Sequence, residues 1–244
     1  MSESNPDYTH ITTVIFDMDG TLIEHSWQMS ELCELFFARF ADALDPVSQE
    51  EFFEVFWEKS EDMWHMVVDG VLDGKTAEKY TYINTLRSLG QDVRLVETML
   101  PYWVELVLEE VIPFEDTFAV LEAIRQKYRT GILTNGFIEL QRAKLEKYNL
   151  PAYVDFTLIS EEARYHKPDE RVFLEALKLA GDASPRETIY VGDNLINDIK
   201  GARQAGLTPI FMNPKDNLQP PEGVVKIGRL SELLPLLGMK DEGW

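Results

Sequence analysis

Apolar positions along the chain change their period twice. The run Thr12-Thr13-Val14-Ile15-Phe16 is β-branched and apolar without alternation, which predicts a central strand of a parallel sheet covered on both faces. From about residue 25 to about residue 112 apolar residues recur three and four apart, which predicts helices and no strand. Met29, Leu32, Cys33, Phe36, Phe37, Phe40 and Leu44 form one such stripe, ending near Asp45-Pro46. Phe52, Phe53, Phe56, Trp57, Met63, Trp64 and Val67 form the next, with Ser48 as its cap and Glu51 three residues on. Ala77, Tyr80, Ile83, Leu86 and Leu89 follow Asp73-Gly74 and stop at Gly90. Asp92 opens a last segment bearing Val93, Val96, Leu100, Val104, Val107 and Leu108, which Pro101 is expected to kink or divide. The aromatic residues of these stripes read as the core of a bundle.

From Pro113 the pattern alternates between helix and strand. Predicted strands are Thr130–Thr134, Asp155–Ile159, Thr188–Gly192, Thr208–Met212 and Val224–Ile227, and helical stripes lie between them. A helix is expected around Ile196–Ala205, and Ser231 is expected to cap a last short one. Such alternation means an α/β protein, a doubly wound, Rossmann-like parallel sheet with right-handed crossovers. Its first strand precedes the helical segment and the others follow it. The expected organisation is therefore a core of residues 1–24 and 113–244, with an all-helical cap, residues 25–112, inserted into it.

Composition narrows the function. With 43 acidic and 23 basic residues the formal charge is −20, a surface that repels nucleic acid and anionic membranes. An anionic substrate then needs local cations, a metal or backbone N–H groups. Cys33 is the only cysteine, so disulfides within the chain and multi-cysteine metal sites are excluded, and a reducing, cytoplasmic compartment fits. Residues 1–7 are polar and acidic, without a targeting pattern, and are expected to form a short tail. No stretch approaches the roughly 20 apolar residues of a membrane helix.

Three of the four candidate motifs lie at predicted strand ends, where open α/β sheets bind ligands, and the fourth lies in a loop entering a helix. Asp17 and Asp19 follow the first strand, two apart and on one side of an extended chain. So close a pair repels, and a dication relieves it; a plain Asx-Gly turn is the competing account of this stretch. Thr134-Asn135-Gly136 ends another strand with a hydroxyl, an amide and a glycine that lets backbone N–H groups approach an anion. Lys167-Pro168 precedes a helix that Asp169 can cap, and Val191-Gly192-Asp193-Asn194 is followed by Asp198 at a helix start. Each motif alone has a bland reading as a turn or a loop charge; four in this arrangement do not.

In this order they resemble the motifs of the haloacid dehalogenase superfamily, in its phosphatase branch, and the insert resembles that family's C1-type cap. Leu133-Thr134-Asn135-Gly136-Phe137 and Ile159-Ser160-Glu161-Glu162 look most similar to pyrimidine-nucleotidase-type and N-acylneuraminate-phosphatase-type members. The resemblance implies that Asp17 is a nucleophile forming an aspartyl-phosphate and that Asp19 is its acid and base. It implies Mg²⁺ held by the Asp17 and Asp193 carboxylates and the Asp19 carbonyl, with Asp198 and Asn194 behind them. Thr134, the N–H groups near Asn135, and Lys167 are implied as phosphate ligands. Dehalogenases of the superfamily lack the second aspartate, having no leaving oxygen to protonate, so Asp19 favours a phosphatase.

The implied substrate is a small phosphorylated metabolite, a nucleoside monophosphate first and phosphoglycolate or a sugar phosphate next. No nucleic-acid or membrane partner is expected, and monomer and homodimer stay open. Two rivals remain: a phosphomutase of the β-phosphoglucomutase kind, and a phospho-accepting receiver-like module, which would lack the paired aspartates and the insert. Related sequences often carry glycine shortly before the lysine, whereas Ala163-Arg164-Tyr165-His166 stands here. Arg164, His166 and His25 are candidates for substrate contact, against the simpler reading of surface or locally packed residues.

Overall fold

The computed structural model describes residues 7–24 and 30–240, so His25 and Met29 lie outside the described residues. Ten helices are described: α1 (Ser30–Leu44), α2 (Gln49–Val68), α3 (Gly74–Ser88), α4 (Val96–Glu110), α5 (Thr117–Ile124), α6 (Ile138–Lys147), α7 (Ser160–Ala163), α8 (Glu170–Leu179), α9 (Gly201–Gln204) and α10 (Leu233–Leu236). The strands are β1 (Thr13–Phe16), β2 (Arg129–Thr134), β3 (Phe156–Ile159), β4 (Thr188–Gly192), β5 (Thr208–Met212) and β6 (Val225–Ile227). Contacts divide the chain into two compact units. One comprises Met1–Glu24, Pro113–Asn135 and Leu145–Trp244; the other comprises His25–Ile112 and Gly136–Lys144.

The first unit holds one six-stranded sheet of order β3-β2-β1-β4-β5-β6, parallel throughout. Every residue of β1 and β4 is buried, which is why neither strand alternates. The order reverses between β1 and β4, the position where an open sheet leaves a crevice. Phe16 pairs with Ile132 on one side and Val191 on the other, so β1, β2 and β4 deliver their carboxyl ends to one edge.

Two helical expectations for this unit are corrected. A π-helical turn, Leu195–Lys200, precedes α9 where one regular helix is expected. The Asn194 carbonyl accepts from the N–H groups of both Asp198, at 2.9 Å, and Ile199, at 3.1 Å, which widens the turn. Ser231 caps nothing. It sits inside a 3₁₀ turn, Leu230–Glu232, ahead of α10, and its N–H donates to Asp116 Oδ2 at 2.8 Å.

The second unit is helical. Ser48 caps α2 by accepting from the Glu51 N–H, and Asp73 caps α3 by accepting from the Thr76 N–H. Pro101 does not divide α4: the helix runs from Val96 to Glu110 through it. Pro101 and Glu97, whose carbonyl loses its partner, are both exposed, so water can satisfy that carbonyl. On α3 the buried face also differs from the expected stripe. Tyr80 is exposed, while Thr81, Tyr82 and Thr85 are buried. The threonine hydroxyls bond back to the carbonyls of Ala77 and Thr81, at 3.1 and 2.8 Å, so burial leaves neither unsatisfied.

Phe36 is the hub of the aromatic core in this unit. Its ring lies within 6.2 Å, centroid to centroid, of Phe40, Phe52, Phe53, Tyr82, Tyr102 and Trp103. Phe36→Ala is expected to cost about 3–5 kcal/mol by emptying that centre, read as a lower denaturant midpoint for the transition of this unit. Among the described residues no helix is long and apolar enough to cross a membrane.

Candidate active site

Beyond β1 the chain folds back at once. The Met18 carbonyl accepts from the N–H groups of Leu22 and Ile23, at 2.9 and 3.1 Å, and Gly20 N–H donates to Ile23 O at 2.8 Å. Gly20 has φ +81°, and a Cβ there would stand 2.2 Å from Asp193 Oδ2. At the end of β4, a Cβ on Gly192 would stand 2.5 Å from the Asp198 carboxyl group. Two glycines thus make the room into which carboxylates from separate segments converge. Asp17, Asp193 and Asp198 each offer an oxygen, all within 4.8 Å of one another.

Lys167 enters this cluster and is almost wholly buried. Its Nζ lies 2.8 Å from Asp17 Oδ1 and donates to Asp198 Oδ1 at 2.7 Å and to Tyr190 Oη at 2.9 Å. Its backbone is clamped by the Asn135 side chain. Asn135 Nδ2 donates to Lys167 O, and Lys167 N–H donates to Asn135 Oδ1, both at 2.9 Å. The other Asp198 oxygen accepts from the Asn194 N–H at 2.9 Å, and the Asn194 side chain caps the π-helical turn.

Three carboxylates against one ammonium leave the cluster short of positive charge. Burial, with the charges of Asp198 and Asp19 added and Lys167 opposing, pushes Asp17 up to about 7. Burial and the Asp17 and Asp198 charges push Asp193 up to about 8. Burial alone would lower Lys167, but Asp17 and Asp198 overcome it and hold the ammonium well above its usual range. A hard dication with oxygen ligands fits this donor set, since it supplies the missing charge and restores the carboxylates to their ionised form.

The family model for haloacid dehalogenase-like hydrolases matches residues 11–206. The chain is a haloacid dehalogenase-like hydrolase. The hydrolase is 35% identical over 131 residues to the pyrimidine 5'-nucleotidase YjjG of Escherichia coli, spanning 54% of this chain and 58% of that protein. It is 26% identical over 221 residues to human N-acylneuraminate-9-phosphatase, covering 87% of this chain and 86% of that one. A 2-haloacid dehalogenase from Pseudomonas syringae shares its fold, with a TM-score of 0.68, 26% identity, and 93% and 98% of the two chains covered.

The hydrolase brings Asp17, Lys167, Asp193 and Asp198 into direct proximity. Asp19 is buried beside them, and its charge acts on Asp17, although its carboxylate is outside the cluster of three. Thr134 ends β2, the strand next to β1, and is buried. Arg164 is exposed, with φ +59°. His166 is buried, and its Nδ1 shares a 2.8 Å hydrogen bond with Ser160 Oγ, which ties the lysine loop to the end of β3. Burial lowers the His166 pKa, so the ring is held neutral. Sequence reasoning missed Tyr190 and Ser160 as partners of this loop. The one available signal was a phenol inside an otherwise aliphatic buried strand, Thr188–Gly192.

Proposed function

We propose that this hydrolase is a Mg²⁺-dependent phosphomonoesterase that works through an aspartyl-phosphate on Asp17, with a small phosphorylated metabolite as substrate. The observation that carries this reading is the buried Asp17–Asp193–Asp198 cluster with Lys167 in its midst. Asp17, Asp193 and the Asp19 carbonyl would hold the ion, which would neutralise charge on the phosphoryl oxygens. An Asp17 oxygen attacks phosphorus in line with the leaving oxygen, forming an O–P bond as the ester O–P bond breaks. Asp19 gives its proton to the departing alcohol oxygen. It then takes a proton from the water that attacks the phosphorus of the aspartyl-phosphate, releasing phosphate and the free carboxylate. Lys167 and Thr134 bond the non-bridging oxygens. A dehalogenase has no leaving oxygen, and Asp19 would be idle in it.

The named activities of the Escherichia coli and human relatives support a nucleoside or sugar-acid monophosphate, the nucleoside monophosphate first. A cytoplasmic enzyme of metabolite phosphates is consistent with the charge of −20. The test is phosphate release with Mg²⁺ from uridine monophosphate, N-acylneuraminate 9-phosphate, phosphoglycolate and β-glucose 1-phosphate. Release from at least one, with uridine monophosphate fastest, is expected. No release from any would sink the phosphatase reading, and conversion of glucose 1-phosphate to the 6-phosphate would favour a mutase.

A further inference from the structure

The Lys167 ammonium has three N–H bonds, of which two are donated, to Asp198 Oδ1 and Tyr190 Oη. The charge stands 2.8 Å from Asp17 Oδ1, a buried oxygen that accepts no hydrogen bond among the described residues and so leaves the third N–H for an incoming group. The phenol is unlike the two carboxylates. Tyr190 is fully buried, on β4 level with Ile15, in the apolar cluster that also holds Leu133 and Phe173. Its ring meets Phe173 edge-on at 5.1 Å. Its hydroxyl lies 2.9 Å from the Leu133 carbonyl and 3.5 Å from Asp198 Oδ1; its one proton serves the nearer acceptor, and its oxygen is left to accept from Lys167. Leu133 directly precedes Thr134. One phenol on β4 therefore joins the ammonium to the end of β2, passing β1, the strand between them.

We propose that Tyr190 is a positioning residue for Lys167: with Asp198 it fixes two of the three N–H bonds and so directs the third to the Asp17 side, where phosphate is received. Without the phenol oxygen, the ammonium keeps its charge but loses one of the two holds that do not involve Asp17. A phenylalanine ring offers no lone pair in its place, so the ammonium can turn. The role rests on the phosphatase reading.

Tyr190→Phe keeps the ring and removes only the oxygen. The test measures p-nitrophenyl phosphate hydrolysis in Mg²⁺ and inhibition by orthovanadate, a phosphate mimic, per mole of folded protein and well below both melting temperatures. A fall in kcat/KM of about tenfold, with a matching rise in the vanadate inhibition constant, is expected for a lost hydrogen bond to a charged group. A lower melting temperature with an unchanged vanadate constant would reduce Tyr190 to a packing role and overturn the proposal. In a Lys167→Met background the same substitution is expected to change the vanadate constant no further; an additional tenfold loss there would also overturn it. If Tyr190→Phe does not fold, fluorotyrosine at position 190 keeps the shape and makes the oxygen a poorer acceptor. A smaller rise in the same direction is then expected, and no rise overturns the role. If wild type neither hydrolyses the ester nor binds vanadate, the phosphatase reading fails and this role fails with it.

Discussion

Asp17→Asn is expected to lower kcat by at least about 10⁴-fold, the scale on which removing a nucleophile acts in other hydrolases. The substitution keeps shape and burial and exchanges a carboxylate for an amide oxygen that cannot hold the phosphoryl group. Its effect on stability has the opposite sign. Burial and neighbouring carboxylates already push Asp17 up to about 7, so the native fold carries this charge at a cost. The neutral amide removes that cost and leaves Asp198 to pair with Lys167. The melting temperature of the cation-free variant at pH 8 is therefore expected to equal or exceed that of wild type. Loss of turnover in a fully folded protein separates chemistry from misfolding. Residual activity within tenfold of wild type would exclude Asp17 as the proposed nucleophile.

Removing the divalent ion with EDTA is expected to abolish turnover, and Mg²⁺ to restore it, with a stability signature that depends on pH. Asp17 at about 7 and Asp193 at about 8 both stand above the ordinary carboxylate value near 4. A carboxylate raised in the folded state contributes stability that is complete below its unfolded pKa and is lost as pH rises through its folded one. The cation-free protein should therefore melt at progressively lower temperature as pH rises from about 4, the decline levelling off between about pH 8 and 9, once both groups are ionised in the folded protein as well. His166, held neutral by burial, acts the other way: its contribution fades as pH falls below about 6.5, which blunts the aspartate trend in the acid part of that window and leaves it unopposed above. Mg²⁺ takes the ionised carboxylates and releases protons on binding, so it should raise the melting temperature little at pH 6 and much more at pH 8.5. Scanning calorimetry at these two pH values, with and without the ion, measures both trends. A Mg²⁺ shift of equal size at both would show that the buried aspartates are not the ligands.

Much of the fold was legible because its signals are local. Thr188–Gly192 and Thr208–Met212 are strands with the bounds read from sequence, since a strand buried on both faces is an unbroken apolar run between turn residues. The Ser48 cap was legible for the same reason: a cap and the N–H it accepts are three residues apart. The reading failed where a local rule met a tertiary partner. Thr81 and Thr85 count as polar in a helical stripe, yet hydrogen bonds to the preceding turn let them enter the core. Ser231 has the look of a cap, but Asp116, far off in sequence, takes its N–H.

Sequence by itself determined the doubly wound α/β class, the helical insert, and the presence of acidic residues at strand ends with a lysine in a loop entering a helix. Each is written in contiguous residues whose period and turn chemistry need no distant partner. Only the tertiary structure decided that Asp17, Asp193 and Asp198 share one buried cluster, that Asn135 clamps the lysine backbone, and that Tyr190 receives its ammonium. It also decided the raised pKa values of Asp17 and Asp193. Those facts depend on the parallel register of β2, β1 and β4 and on the water that their packing excludes. Neither the register of strands distant in sequence nor the loss of solvent around a charge is a property of any single stretch of chain.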